Sequence, residues 1–182
     1  SSGEQLAAAT PAASGMVANP LYERWAGFAP GSWVLLEGQQ VTNGVAHPIR
    51  IRTTLISKTP YQIVLYREQF DSSGQLESSV FPQTVFASSE IEPADGPMTH
   101  PACQSTKLPD AKLNVGQQVF DCKVLSISVP ADFRDWGSQP KATVYSNAAI
   151  PGEIVQVDLH TRLGDRTVEI AAKVSDYYRA GK

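Results

Sequence analysis

The strongest constraint on the fold is an alternation of apolar and polar residues that recurs along most of the chain. Beyond residue 31 it occupies four segments separated by the turn-like sequences TNG, KTP and DSSG, at 32–41, 49–57, 61–70 and 76–86. Four more segments follow at 117–128, 141–146, 152–162 and 166–176. A period of two places successive side chains on opposite faces of a strand, and turns at this spacing favour hairpins. The sequence therefore predicts eight antiparallel strands.

A single short helix is predicted ahead of the strands. Asn19 and Pro20 are residue types preferred at the N-cap and at the first helical position. Leu21, Trp25 and Phe28 follow at spacings of four and three, so they share one helical face. We expect this face to pack against the sheet.

The N-terminal residues predict a tether and a cellular compartment. Residues 1–18 are mostly small and polar and are predicted to be flexible, leaving 19–182 as a single β domain. An exported bacterial protein would begin in this way, either as a lipoprotein without its signal peptide and acylated cysteine or as a secreted protein. An expression remnant is the alternative. We predict a periplasmic or extracellular location; in the lipoprotein case a lipid anchor before residue 1 would tether the protein to the membrane.

The balance of helix and strand predicts curvature. Eight strands with one apolar face each and one short helix would leave a flat sheet largely uncovered. We therefore predict a mainly β fold built on a curved antiparallel sheet, either a half-barrel or an eight-stranded barrel. The interior of such a barrel is filled by side chains or holds one small ligand. Trp33, Tyr61, Phe120 and Tyr145 are large residues expected to face it.

Two local features could form either ordinary turns or ligand sites. In Ile150-Pro151-Gly152-Glu153, proline and glycine occupy the central positions of a type II turn, which predicts a hairpin; a loop shaped around a ligand is the alternative. DSSGQLE, at 71–77, is predicted to be a hairpin turn, since it lacks most of the oxygen ligands of a calcium loop.

Residues 87–116 have no sustained period and are predicted to be a long crossing loop. The loop contains EIEPADG, read as a solvated acidic stretch or, alternatively, a cation site. Between Arg67 and Lys107 the chain has six acidic residues and no lysine or arginine, so this stretch is expected to be locally negative.

Cys103 and Cys122 are the only cysteines. If they bond, a loop is joined to a strand, which would stabilise the fold by about 3 kcal/mol in an oxidising compartment. Two separate buried thiols are the alternative.

The sequence predicts no enzyme. It lacks a Gly-x-Ser-x-Gly nucleophile motif and any glycine-rich phosphate loop, and His47, His100 and His160 are far apart. No cofactor or metal site is predicted. The formal charge of -3 and the isoelectric point near 5.6 give no electrostatic attraction to nucleic acid.

NPLYERWAGFAPGSWVLLEG, followed by a β-meander and then VYSNAAIPGEIVQVD, resembles a loosely defined group of uncharacterised exported bacterial proteins. The order of elements is also similar to lipoprotein carriers of the LolA and LolB type, in which a curved sheet cups acyl chains. This resemblance implies an apolar or lipid-like ligand and directs attention to Trp33, Tyr145 and Pro151. The carriers cover their sheet with several helices, whereas this chain offers one.

Two functions follow as hypotheses. The first is an envelope protein that binds an apolar or lipid-like ligand inside the curved sheet, with Trp33, Tyr61, Tyr145 and Pro151 as ligand residues. It predicts a cavity of several hundred cubic ångströms lined by aliphatic and aromatic side chains. The second is an interaction or assembly module with a filled interior and no small ligand. It predicts an exposed apolar patch or a long free strand edge.

Overall fold

The computed structural model describes residues 17–89, 104–128 and 141–181. Within those ranges it has one α-helix and twelve β-strands. In chain order they are β1 (Val17–Ala18), α1 (Pro20–Ala26), β2 (Trp33–Thr42), β3 (Val45–Lys58), β4 (Gln62–Phe70), β5 (Leu76–Ser79), β6 (Gln83–Phe86), β7 (Ser88–Ser89), β8 (Gln104–Val115), β9 (Gln118–Ser128), β10 (Lys141–Ser146), β11 (Ile154–Leu163) and β12 (Arg166–Tyr178).

Ten of the described strands form one antiparallel sheet. Their order is β5-β4-β3-β2-β12-β11-β10-β9-β8, and β6 also pairs with β4. The sheet is curved and does not close. The mainly β, curved antiparallel architecture with one short helix is thus confirmed in its half-barrel form. The closed eight-stranded barrel is not formed.

The opening of the sheet has a topological cause. The first and last predicted strands, now β2 and β12, pair in the middle of the sheet from Trp33↔Tyr178 to Thr42↔Val168. β5 and β6 lie together along the outer side of β4, and β8 lies at the opposite edge. The gap in the sheet therefore lies between β6 and β8, which are connected along the chain by residues 87–103, where the alternation of apolar and polar residues is interrupted.

The predicted crossing loop at 87–116 is wrong over its second part. Residues 104–115 are β8, paired with β9 along its length. Pro109 misled the prediction, because it interrupts the alternation. It is tolerated since β8 is an edge strand and the register shifts between Leu108 and Ala111. Residues 90–103, including EIEPADG and His100, lie outside the described residues.

Pro82 interrupts the fourth predicted strand. The segment 76–86 divides into β5 and β6, which pair with different parts of β4. At the N-terminus, Val17–Ala18 pairs with Ser88–Ser89. The rest of the predicted tether, residues 1–16, lies outside the described part of the chain.

The helix forms as predicted and covers one end of the sheet. Asn19 is the N-cap, and its side chain accepts a hydrogen bond from the Leu21 amide at 3.1 Å. Leu21, Trp25 and Phe28 are all buried, and they pack against core residues of β3, β4 and β6: Leu55, Ile63, Leu65 and Val85. A second core cluster consists of Val115, Cys122, Ile150, Val155 and Val174. Val34 packs against both clusters and so connects them.

The Pro151-Gly152 segment is a turn, as predicted. The Glu153 amide donates to the Ile150 carbonyl at 2.8 Å, and Gly152 has a φ of 76°. These are the features of a type II turn. β10 and β11 on either side pair from Lys141↔His160 to Ser146↔Ile154, which confirms the hairpin. A Cβ atom on Gly152 would lie 2.9 Å from the Trp25 indole, so this turn packs directly on the helix.

Candidate functional site

Large apolar side chains are concentrated on one edge of the sheet. We call this surface the apolar edge and define it as Tyr61, Leu76, Val80, Phe81 and Phe86. Their exposed fractions are 79%, 55%, 60%, 93% and 57%. Leu76 belongs to β5 and Phe86 to β6, Val80 and Phe81 connect those strands, and Tyr61 precedes β4. Phe86 pairs with Gln62, and the Ala87 amide donates to the Tyr61 carbonyl at 2.8 Å, so Tyr61 and Phe86 are neighbours, whereas Leu76 pairs with Phe70 at the other end of β4.

The opposite edge of the sheet is arranged differently. Along β8 the apolar residues Leu108 and Leu113 are half-buried and Val115 is buried, while Lys107 and Lys112 are exposed. Exposed lysines, a proline and a bulge are devices by which edge strands avoid pairing with other chains. β5 and β6 are also short and are separated by Pro82, but unlike β8 they expose large apolar side chains. The two edges of one sheet therefore have opposite surface chemistry.

A turn at the end of the apolar edge is held by Asp71. Its Oδ1 accepts hydrogen bonds from the Ser73 hydroxyl at 2.6 Å, the Ser73 amide at 2.8 Å and the Gln75 amide at 2.9 Å. The bond from the Ser73 hydroxyl and that from the Gln75 amide lower the pKa of this carboxyl below its usual value. DSSG is therefore the hairpin turn that its composition predicts.

A shallow open groove of about 430 Å³ lies on the face of β2, β12, β11, β10 and β9. Unbroken register places two neighbouring rows of side chains along it: Gln39, Ala171, Asp158, Thr143 and Ser126 in one row, and Val41, Glu169, His160 and Lys141 in the other. His160 Nδ1 lies 3.0 Å from Glu169 Oε1, with both side chains more than half exposed. His160 thus lies directly opposite Glu169 on a polar face of the sheet.

A second, smaller cleft of about 160 Å³ contains Trp33, Leu35, Phe70 and the side chains of Arg50 and Arg52. Both guanidinium groups already have carboxylate partners. Arg50 Nε lies 2.8 Å from the Glu37 carboxylate, and Arg52 donates two hydrogen bonds to one oxygen of Glu68 at 2.8 and 3.0 Å. The Arg52 guanidinium also stacks over Phe70 at 5.3 Å from the ring centroid. These pairs neutralise the charge of the cleft.

The predicted ligand residues occupy separate environments. Trp33 lines the small cleft, Tyr61 projects from the apolar edge at 79% exposure, and Tyr145 packs against the second core cluster. Pro151 is fully buried within its turn. Their role in binding a ligand stays a prediction, and the Trp33 cleft does not contain the other three.

Phe81 was missed because alternation placed residues 76–86 on one continuous strand. The available signal was Val80-Phe81-Pro82 itself, in which an apolar pair precedes a proline between the polar segments ESS and QT.

Cys122 is a free, buried thiol on β9, 1% exposed. It shares one side of the strand with Phe120 and Val124, and its Sγ lies 3.7 Å from the Phe120 carbonyl oxygen. Burial raises the pKa of this thiol above its usual value, and the nearby Asp121 carboxylate raises it further, while Lys173 opposes both. Cys103 lies outside the described residues, so the disulfide stays a prediction.

The described part of the chain contains neither a cluster of metal-ligating side chains nor a helix able to span a membrane. Over residues 17–89, 104–128 and 141–181, no group of three or more His, Cys, Asp or Glu side chains is placed to hold a metal ion. Within the same ranges, no helix combines the length and apolar character needed to cross a bilayer.

No protein-family model and no curated protein matches the chain. Among solved structures, the chain is similar to the hypothetical lipoprotein YmcC from Escherichia coli K12, with a TM-score of 0.40 and 12% sequence identity over 81% of this chain and 89% of that one. At this TM-score and identity the similarity assigns neither function nor location to the chain. The resemblance to lipoprotein carriers of the LolA and LolB type also stays a prediction.

Proposed function

We propose that this protein is a cell-envelope interaction module that binds a partner protein through the apolar edge. The observation that carries the proposal is the exposure of five large apolar side chains along one edge of the sheet, with Phe81 at 93%. The role is binding, without catalysis, at a periplasmic or extracellular location. It corresponds to the second of the two hypotheses, for which an exposed apolar patch is the expected sign.

The energetic argument rests on the cost of exposing these groups to water. Fully burying one large apolar side chain is worth about 1.5–3 kcal/mol. Aromatic residues are enriched among the few positions that dominate binding energy at protein interfaces. Phe81, flanked by Val80 and Phe86, is placed to be such a position. Exposed apolar clusters of this kind mark interaction sites on soluble proteins.

The test is site-specific photocross-linking in cells that express the full-length protein. We expect a photoreactive phenylalanine analogue at position 81 or 86 to form discrete adducts with another protein. Val119 supplies the matched control, because it is 61% exposed and lies on β9, far from the apolar edge in the order of strands. Equal adducts at position 119, or no adduct at 81 and 86, would contradict the proposed function.

An apolar or lipid-like ligand inside the curved sheet is the second candidate. The groove of about 430 Å³ is large enough for a small ligand, but it lies on the exposed polar face that carries Glu169 and His160, opposite the face of β12 that buries Ala172. Its side chains include Asp158, His160, Glu169 and Lys141, which an apolar ligand would have to desolvate. This cost favours the interaction module.

Native mass spectrometry distinguishes the two candidates. For protein purified from its own compartment we expect a clean apo mass and no lipid after organic extraction. A stoichiometric co-purifying lipid, lost on replacing Val41 or Ala171 in the groove with aspartate but retained in Phe81→Ser, would instead support ligand binding.

A further inference from the structure

We infer that the apolar edge takes an extended segment of a partner protein as an added β-strand, and that this segment carries lysine or arginine beside its apolar side chains. The inference rests on the proposed function and specifies the chemistry of its partner. Three features of the edge support it: its backbone groups, its contrast with β8, and its charge.

The backbone of the edge favours a strand as the occupant. β5 and β6 pair with β4 on one side, and in the described part of the chain no strand pairs with their other side. Amide and carbonyl groups on that side therefore have no strand partner among the described residues. An added strand would satisfy them while covering Leu76 and Phe86. A lipid bilayer would cover the side chains but leave those backbone groups without partners, at a cost of several kcal/mol each.

The contrast with β8 indicates that this exposure is specific to one edge. β8 is twelve residues long and would be the more extensive template, yet it carries Pro109, a bulge and exposed lysines. Its apolar residues are half-buried or buried. The apolar edge has short strands and large exposed side chains. Both edges carry a proline and a register shift, so the exposed lysines of β8 and the large exposed apolar side chains of the other edge are what distinguish them.

The charge of the edge determines the kind of segment. Residues 68–89 contain Glu68, Asp71 and Glu77 and no lysine or arginine, and the neighbouring Arg67, whose carbonyl accepts from the Val80 amide, offsets only one of these charges. Glu68 is paired with Arg52. Asp71 accepts hydrogen bonds from uncharged groups of its own turn. Glu77 accepts one from the side-chain amide of Gln69, Nε2, at 3.4 Å. Basic residues on the incoming strand would complement the remaining two carboxylates. A second copy of this chain would bring Glu77 close to its own counterpart, and like charges across a strand pair are destabilising.

The experiment is selection from a phage-displayed library of random twelve-residue peptides on the immobilised full chain. We expect enriched peptides to alternate apolar residues with lysine or arginine. Phe81→Ser should weaken their binding about tenfold or more, the loss expected for one dominant interface residue. Val119→Ser is the matched control and should leave binding unchanged. Because Phe81 and Val119 are both exposed, neither change is expected to affect folding, which circular dichroism checks.

Two further measurements examine strand addition and charge separately. Hydrogen exchange should show new protection in β5 or β6 when a selected peptide binds, and Glu77→Lys should weaken the peptide by up to about fivefold. Enrichment without basic residues, or binding without new protection, would overturn the inference. A selection that enriches no peptide would also overturn it, as would a dimer in sedimentation that Phe81→Ser abolishes. Binding to anionic phospholipid vesicles that depends on Phe81, or a cross-link from position 81 to residues 90–103 of the same chain, would do the same. An intermolecular protein adduct at position 81 with an empty selection would leave the proposed function standing and remove strand addition.

Discussion

Replacing Trp25 with alanine is expected to lower the free energy of unfolding by about 3–5 kcal/mol. Trp25 is 3% exposed and packs edge-on against Phe28 with ring centroids 6.4 Å apart. Its indole also lies directly against Gly152 of the turn between β10 and β11. The substitution removes contacts between the helix, the first core cluster and this turn at once. Since a typical domain is stable by about 5–15 kcal/mol, the loss is a large share of the total.

Urea denaturation followed by circular dichroism measures the effect, since this signal does not depend on tryptophan fluorescence. Tyr178→Ala serves as the control, because Tyr178 is 53% exposed and should cost less than about 1 kcal/mol. A loss below about 1 kcal/mol for Trp25→Ala would mean that the helix contributes little to the core.

Replacing Gly38 with alanine is expected to destabilise the protein by about 3 kcal/mol, near the upper end for overpacking. A Cβ atom at this position would lie 1.9 Å from the Ala171 carbonyl oxygen and 2.6 Å from Ala172 Cα. Both are backbone atoms of β12, so no side chain can turn aside to make room. Either β2 and β12 separate locally or the register shifts, and both results weaken the pairing at the middle of the sheet.

Gly27→Ala is the matched control. A Cβ atom on Gly27 would meet nothing within 4 Å, and its φ of -74° is accessible to alanine. We expect a change of about 0.5 kcal/mol or less, in either direction. Thermal unfolding of both variants beside the wild type decides the prediction. Equal midpoints for Gly38→Ala and Gly27→Ala would show that β2 and β12 are less closely paired than described.

Features that depend on neighbouring residues were predictable. Period-two alternation located most of the strands, since opposite faces of a strand meet different environments. Asn19 and Pro20 predicted the helix start, and Pro151-Gly152 predicted the turn, because each residue restricts its own backbone dihedrals. β8 was missed because Pro109 interrupts the alternation, and only its place at the edge makes that proline acceptable.

The candidate site was less predictable than the strands. Tyr61 was expected inside the curved sheet, yet it is 79% exposed. Phe81 was not identified at all, although it is the most exposed of the large apolar residues. The alternation of apolar and polar residues shows only that the two faces of a strand meet different environments. It does not report whether a given strand is central or lies at an edge, where a side chain can lack a neighbour on one side.

The sequence by itself determined that the chain is an antiparallel β protein, with one helix, defined hairpin turns and too little helix to cover a flat sheet. The tertiary structure decided that β2 pairs with β12, that the sheet opens between β5–β6 and β8, and that one edge is protected while the other exposes Phe81. This division follows from how far apart in the sequence the interacting residues lie. Strand periodicity and turn dihedrals are set by residues a few positions apart, whereas strand order and burial depend on pairing between segments more than a hundred residues apart.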